Sequence, residues 1–287
     1  MTRLETSIDK ACHYFTNDFN NPSITQLFFK GLVLFTLIKT ATLWSLSQAV
    51  MEHHTLSLPR SWIGKMVLAP SFLANNSIEI FLVLAIVFLV FAIFLRSHYI
   101  ISILFFWLTV NLYVAFLPSA NGADLVLFML ALWSIPLAAK PTIKSEPGGI
   151  IQRTLYNLGV VLCQLQIVFI YLVSGWDKLG SETWRSGEAF DYIIHLNTLY
   201  NPTFTGLLED SFIQQVFSWA TILFELLFVL FVWIEKTRLP ILLTGVFFHL
   251  FIWVVMSLPD FAGIMIISYI IFLKDRDYAR IRSWIKR

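Results

Sequence analysis

Eight apolar runs constrain this chain more than anything else in it. They fall at roughly 26–47, 78–95, 98–117, 123–139, 156–176, 212–234, 239–257 and 260–273. A perpendicular crossing of the hydrocarbon layer takes about 20 apolar residues. The first, fifth, sixth and seventh runs meet that length. The fourth and eighth are short enough to be tilted partners or re-entrant segments. Composition makes a water-soluble alternative untenable. Of the 287 residues 57% are hydrophobic and 13% charged, where a soluble domain carries about a quarter charged. The mean hydropathy is +0.74. The expected fold is all-α, a polytopic membrane bundle of about eight transmembrane helices.

Charge placement orients the bundle. With a cytoplasmic N-terminus, the inner segments hold Arg3, Lys10, Arg96, Lys140, Lys144, Arg153, Lys236, Arg238 and six further cations after Phe272, 14 of the 20 Lys and Arg. The outer loops hold Arg60, Lys65, Lys178 and Arg185, while Lys30 and Lys39 lie within the first run. That bias satisfies the positive-inside rule with both termini cytoplasmic. A net charge of +2 shows no nucleic-acid footprint.

Three segments follow. Residues 1–25 are mostly polar, but Leu4, Ile8, Ala11, Cys12 and Phe15 share one helical face. They are read as an interfacial helix and not as a cleaved signal. Residues 26–273 form the membrane domain. Residues 274–287 carry Lys274, Arg276, Arg280, Arg282, Lys286 and Arg287 around Tyr278, Ile281, Trp284 and Ile285. This is a basic amphipathic tail suited to anionic lipid headgroups. The loops 48–77 and 177–211, both expected outside, are too short for a separate domain. Cys12 and Cys163 belong to different environments, so no disulfide is expected. Glu52, His53 and His54 are adjacent in a loop and make no metal cage on their own.

Polar side chains inside apolar runs each need a partner or a task. Glu225 sits mid-run in "TILFELLFVLF" and His249 in "GVFFHLFIW". Each lies some 12 residues from the turn at 235–239, so a hairpin brings them to similar depth. A buried Glu–His pair is a proton-handling unit; two separate helix fasteners are the plainer reading. Lys30 snorkels to the inner surface. Lys39 lies deeper and is expected to pair with an acid such as Glu225 or with Asn111. Asp124, after Asn121 and Gly122, is placed as the N-terminal acid of the fourth helix.

The stretch "YLVSGWDKLGSETWRSGEAF", Tyr171 to Phe190, leaves the hydrocarbon with a lysine at the seam. Tyr171, Gly175 and Lys178 share a helical face. Gly175 permits close approach of another helix. Trp176 and Trp184 are interfacial aromatics. In a dry pocket Lys178 acts as a base; reaching water, it is an anchor.

This stretch resembles the glycine, Lys-Leu, tryptophan and glycine pattern of the vitamin K-dependent γ-carboxylase-like family, whose members share the horizontally transferred transmembrane (HTTM) domain. "FELLFVLFVWIEKTRLPILLTGVFFHLFIWVVM" is similar to the family's later hairpin, with Glu225, Arg238 and His249 at its glutamate, turn arginine and membrane histidine. "NLYVAFLPSANGADLVLFMLALWSIPLA" resembles the helix, polar turn and helix before the lysine block. The resemblance covers about 26–274. It implies that Lys178 deprotonates a reduced quinone of the vitamin K hydroquinone type. Reaction with oxygen then yields a base strong enough to take a proton from a glutamate side chain, which captures carbon dioxide. It also implies that His249 stabilises anionic species, with Glu225 beside it, and that Tyr171, Gly175 and Trp184 border the quinone. The interval from Lys178 to Trp184 is one residue longer than in the carboxylases. Their large extra-membrane part is not expected in a chain ending at Arg287, which resembles stand-alone HTTM proteins, including those tied to maturation of sporulation-delaying toxin.

Two functions follow as expectations. One is quinone-dependent, carboxylase-like chemistry on the outer side of a bacterial inner membrane, with Lys178 as base and no metal. The other is a non-enzymatic accessory or maturation factor for an exported peptide or protein. A transporter is disfavoured by the lack of internal repeats. Membrane lipids are the expected surroundings, and nothing in the sequence selects an oligomeric state. Convergence of Lys178, Glu225 and His249 on one cavity favours the enzyme; dispersal favours the accessory factor.

Overall fold

The computed structural model describes residues 21–47, 78–139, 141, 147–196, 203 and 208–285. Cys12, the interfacial segment before Asn21 and the Glu52, His53, His54 cluster lie outside these residues. All described elements are helical. They group into two compact units, residues 1–162 and 163–287.

The first unit contains α1 (Pro22–Trp44), α2 (Ile78–Phe94), α3 (Tyr99–Ala115), α4 (Gly122–Trp133) and the opening turns of α5 (Pro147–Gly180). Asn21 caps α1 by accepting from the Ser23 N–H at 2.9 Å, and Pro22 supplies a pre-set φ in the first turn. α1 packs along α2, and α3 along α4. Phe28, Phe29, Leu32 and Phe105 fill the space between them, with the Phe29 and Phe105 rings edge to face at 5.5 Å. α4 begins at a capping box. The Asn121 Oδ1 accepts from the Ala123 N–H at 2.8 Å, and the Asp124 carboxylate accepts from the Asn121 N–H at 2.8 Å.

Asp124 has a second role that sequence reading did not give it. Lys39 Nζ lies 2.9 and 3.0 Å from its two oxygens. The acid that pairs with Lys39 is thus Asp124. Asn111 Nδ2 donates to the Trp107 carbonyl one turn back, at 2.7 Å.

The second unit holds α5 from Cys163 onward, α6 (Glu182–Ser186), α7 (Glu188–His195), α8 (Ser211–Phe231), α9 (Glu235–Met256), α10 (Pro259–Ser268), a 3₁₀ turn at Tyr269–Phe272 and α11 (Asp275–Ile285). Asp210 caps α8, accepting from the Phe212 and Ile213 N–H groups. Cys163 is buried and carries a free thiol. Gln164 Nε2 ties α5 to the 3₁₀ turn through the Ile271 carbonyl at 3.0 Å. α11 is secured by an ion pair: Arg238 Nη1 lies 2.9 Å from Asp277 Oδ2, and both side chains are buried. Lys274 just before it is exposed, but partial desolvation of its ammonium, with Arg238 nearby, lowers that group's affinity for its proton. Of the apolar face expected on this tail, Tyr278 is exposed.

Among the described residues, four helices are long and apolar enough to cross a bilayer: α1, α5, α8 and α9. The other four apolar runs form shorter helices, Ile78–Phe94, Tyr99–Ala115, Gly122–Trp133 and Pro259–Phe272. The fourth run was expected to reach 139, but α4 stops at Trp133 and a 3₁₀ turn follows at Pro136. At 1.5 Å per residue its 12 residues span about 18 Å. Only 28% of the apolar window of α9 is buried inside the protein, although it is the most apolar of the long helices. Large side chains such as Phe94, Phe212 and Phe247 project outward. Water would penalise such a surface heavily; hydrocarbon would not. This is an all-α membrane protein.

The α6–α7 corner turns on Gly187, whose φ is +93°. A Cβ there would sit 2.8 Å from the Gln215 backbone nitrogen. Gly187→Ala should therefore cost at least ~1 kcal/mol through left-handed strain plus the clash. Gly180→Ala, with nothing within 4 Å, should leave stability unchanged or slightly raised. Thermal unfolding in detergent, followed by tryptophan fluorescence, separates the two.

Candidate functional site

The second unit contains a cavity of about 240 Å³. Its walls are mostly Phe, Ile, Met and Trp side chains, from α5, α6, α7, α8, α9 and α10. Lys178, Glu225 and His249 all border it. The geometry starts on α5, where helical spacing places Tyr171, Ser174 and Lys178 along one face. Gly175 lies beside them at the contact with α8: a Cβ there would meet Leu226 Cδ2 at 3.0 Å and Glu225 Cβ at 3.1 Å. So Gly175 allows the two helices to approach closely and brings Glu225 within reach of α5. It forms a helix contact and not the cavity wall.

Lys178 Nζ donates to Glu225 Oε1 at 2.8 Å and Oε2 at 2.9 Å, a fork that uses both carboxylate oxygens. It also bonds Ser174 Oγ, which donates onward to Glu225 Oε1 at 3.1 Å. The two side chains are 16% and 7% exposed. The lysine's amine is thus turned inward, away from bulk water. The Trp184 indole caps it, with Nζ 5.0 Å from the ring centroid. Trp184 is itself fixed edge-on against Phe190 at 5.9 Å.

His249 does not pair directly with Glu225, as the shared depth had suggested. Its Nε2 lies 2.7 Å from the Tyr171 hydroxyl, which also bonds the Tyr269 hydroxyl. Tyr171 is wedged beside Phe228, with centroids 4.3 Å apart, and meets Phe224 edge to face. Among the described residues, His249 Nδ1 has no hydrogen-bond partner. The site therefore has two polar clusters in an apolar wall: the Lys178–Glu225–Ser174 group, and the Tyr269–Tyr171–His249 chain.

Of the residues singled out from the sequence, Lys178, Glu225, His249, Tyr171 and Trp184 line this one cavity. Ser174 and Tyr269 were missed. Ser174 was visible as the residue one turn before Lys178. Tyr269 had no sequence signal, because the register that brings the 3₁₀ turn against α9 is set by packing. There, a Cβ on Gly245 would lie 2.7 Å from Tyr269 Cζ. Among the described residues no group of three or more His, Cys, Asp or Glu is placed to hold a metal ion. Comparison with known protein families, with characterised proteins and with solved structures finds no match for this chain.

A buried ion pair couples its two members strongly, because removing one leaves the other charged and uncompensated. Lys178→Met and Glu225→Leu should each cost about 3 kcal/mol. The double variant should be less destabilised than their sum by about 2 kcal/mol. Reversible unfolding in mixed micelles measures the cycle, and additive costs would show that the pair is not coupled.

Proposed function

We propose that this protein is a quinone-dependent membrane enzyme of the γ-carboxylase-like, HTTM type, with Lys178 as its proton-accepting group. In this reading the chain crosses a bacterial inner membrane eight times with both termini cytoplasmic. The cavity then opens toward the outer side, where an exported peptide or protein would meet it. The observation that carries the reading is the inward-turned Lys178 amine, held by Glu225 against an apolar hollow instead of reaching solvent.

The hollow fits a quinone head. An apolar cavity of about 150 Å³ takes a benzene ring, so 240 Å³ has room for a somewhat larger ring system. Apolar walls with few polar groups are the usual lining for such a ligand. When bound, a reduced quinone would supply reducing equivalents and, with oxygen, a strong base. The protein's own part is proton handling. A neutral Lys178 amine accepts a proton from a ligand hydroxyl, and Glu225 takes up the proton that Lys178 must first lose. Ser174, bonded to both, holds the pair in register. Trp184 and Phe190 shield it from water. Ordering the ligand against fixed groups in a dry site is where most of the rate gain arises.

A second reading, a non-enzymatic accessory or maturation factor for an exported peptide, has one observation in its favour. The Glu225 carboxylate is fully occupied within the protein, as in a pair that only fastens two helices.

Lys178→Arg separates them. Arginine keeps the charge and the pairing with Glu225 but does not give up its proton. Protein in lipid nanodiscs, given reduced menadione (2-methyl-1,4-naphthoquinone) and oxygen, should consume oxygen above the protein-free rate. The Arg variant should lose at least ~100-fold of that rate with its unfolding temperature nearly unchanged. Full activity in the variant rules out the base; no activity in the wild type supports the accessory factor.

A further inference from the structure

The first unit has a cavity of its own, about 370 Å³ in volume. The first turn of α1, the turn between α2 and α3, the stretch after α4 and Tyr156 of α5 wall it in. Its polar side chains are Ser23, Thr25, Gln26, Arg96, Ser97 and Tyr156. Lys39, Lys178, Arg238 and Arg276 each face a carboxylate. Arg96 differs: it is exposed and has no ion pair among the described residues. No described Asp or Glu lines the cavity either. Gln26 holds the turn that carries the arginine. Its Oε1 accepts from the Ser97 N–H at 2.9 Å and from the Ser97 hydroxyl at 3.1 Å. The turn is thereby tied to α1. Gln26 Nε2 is buried without an acceptor. A glutamate there would accept the same two bonds without the orphan donor, but would add a carboxylate to the wall that Arg96 shares. Thr25 and Tyr156, both buried, bond each other at 2.7 Å and make the floor.

We propose that this cavity holds the phosphate of an anionic phospholipid, with Arg96 as its counter-charge and the Ser23 hydroxyl as a further donor. α1 is long enough to cross a bilayer, so its first turn stands at a membrane surface, where lipid phosphates lie. A guanidinium grips phosphate oxygens through two parallel N–H groups. An apolar cavity of about 150 Å³ takes benzene; 370 Å³ has room for a phosphate bearing a glycerol. Leu27 and Leu95, next in the chain to Gln26 and Arg96, are exposed. They give the acyl chains an apolar surface to follow away from the cavity. The lining also selects the head group. A choline or ethanolamine ammonium would meet Arg96 and find no described carboxylate to pair with. Phosphatidylglycerol brings the phosphate charge without an ammonium, and hydroxyls that can bond the serines. Discrimination comes from repulsion of the wrong head group as well as attraction of the right one. The site lies wholly in the first unit and depends on no reading of the cavity beside Lys178.

Delipidated full-length protein in detergent micelles, titrated with dioleoyl phosphatidylglycerol or dioleoyl phosphatidylcholine and read by native mass spectrometry, tests this. The first phosphatidylglycerol should bind at least ~10-fold tighter than the first phosphatidylcholine. Arg96→Gln should weaken phosphatidylglycerol roughly five- to tenfold and leave phosphatidylcholine unchanged. Because Arg96 is exposed, the variant's unfolding temperature without lipid should match the wild type. Arg96→Lys, which restores the charge, should recover most of the affinity. Lys236→Gln, at an exposed cation of the second unit, should change nothing. Equal affinity for the two lipids overturns the head-group assignment. Unchanged phosphatidylglycerol binding in Arg96→Gln, or equal losses in Arg96→Gln and Lys236→Gln, overturns the site and leaves only diffuse surface charge. Displacement of the lipid by millimolar glycerol phosphate or inorganic phosphate would put a soluble phosphate in the cavity and overturn the lipid as its source.

Discussion

Burying an ammonium and a carboxylate side by side in a largely apolar bundle has a severe desolvation cost, recovered only when geometry is close and every hydrogen-bonding position is used. The Lys178–Glu225 pair meets that condition through both carboxylate oxygens and Ser174. To do so it needs α5 and α8 in contact, and Gly175 is the residue that lets them touch. The pair also sets the character of the cavity next to it. With the amine drawn inward, a mostly apolar hollow acquires a charged edge beneath a tryptophan lid. Remove the pair and the cavity becomes an ordinary packing defect between helices.

The first unit follows the same rule with a different purpose. Lys39 and Asp124 are buried together, and Asp124 simultaneously completes the cap of α4. One carboxylate thereby satisfies a helix terminus and neutralises a cation inside α1. Arg238 and Asp277 do comparable work between the hairpin turn and α11. In a medium that offers no water to unpaired groups, such shared partners fix helix positions where apolar contact alone, being non-directional, would not.

Much of the fold was legible because apolar runs and capping residues are local signals. The runs at 78–95, 98–117 and 239–257 correspond within three or four residues to α2, α3 and α9. Asn121 and Asp124 announced the start of α4. The end of α4 was not legible, since "WSIPLAA" stays apolar after the helix has stopped. At the site, Lys178, Glu225 and His249 stood out as polar groups amid hydrocarbon. Their pairing did not. Equal depth on a hairpin made Glu225 and His249 look like partners, yet each faces α5: Glu225 meets Ser174 and Lys178, and His249 meets Tyr171. Depth can be counted along a sequence; the rotation of a helix about its own axis follows from packing against a third helix, which sequence spacing does not encode.

The central claim is that the Lys178 amine is sheltered and held by Glu225. Modification by a water-soluble amine reagent of the protein in lipid nanodiscs, which expose both membrane faces, read by mass spectrometry, tests it directly. Lys178 should react far more slowly than the exposed Lys236, and its rate should rise in Glu225→Gln. A Lys178 that reacts as readily as Lys236 in the unaltered protein would mean that the amine stands in open water, and the proton-accepting role would have no basis.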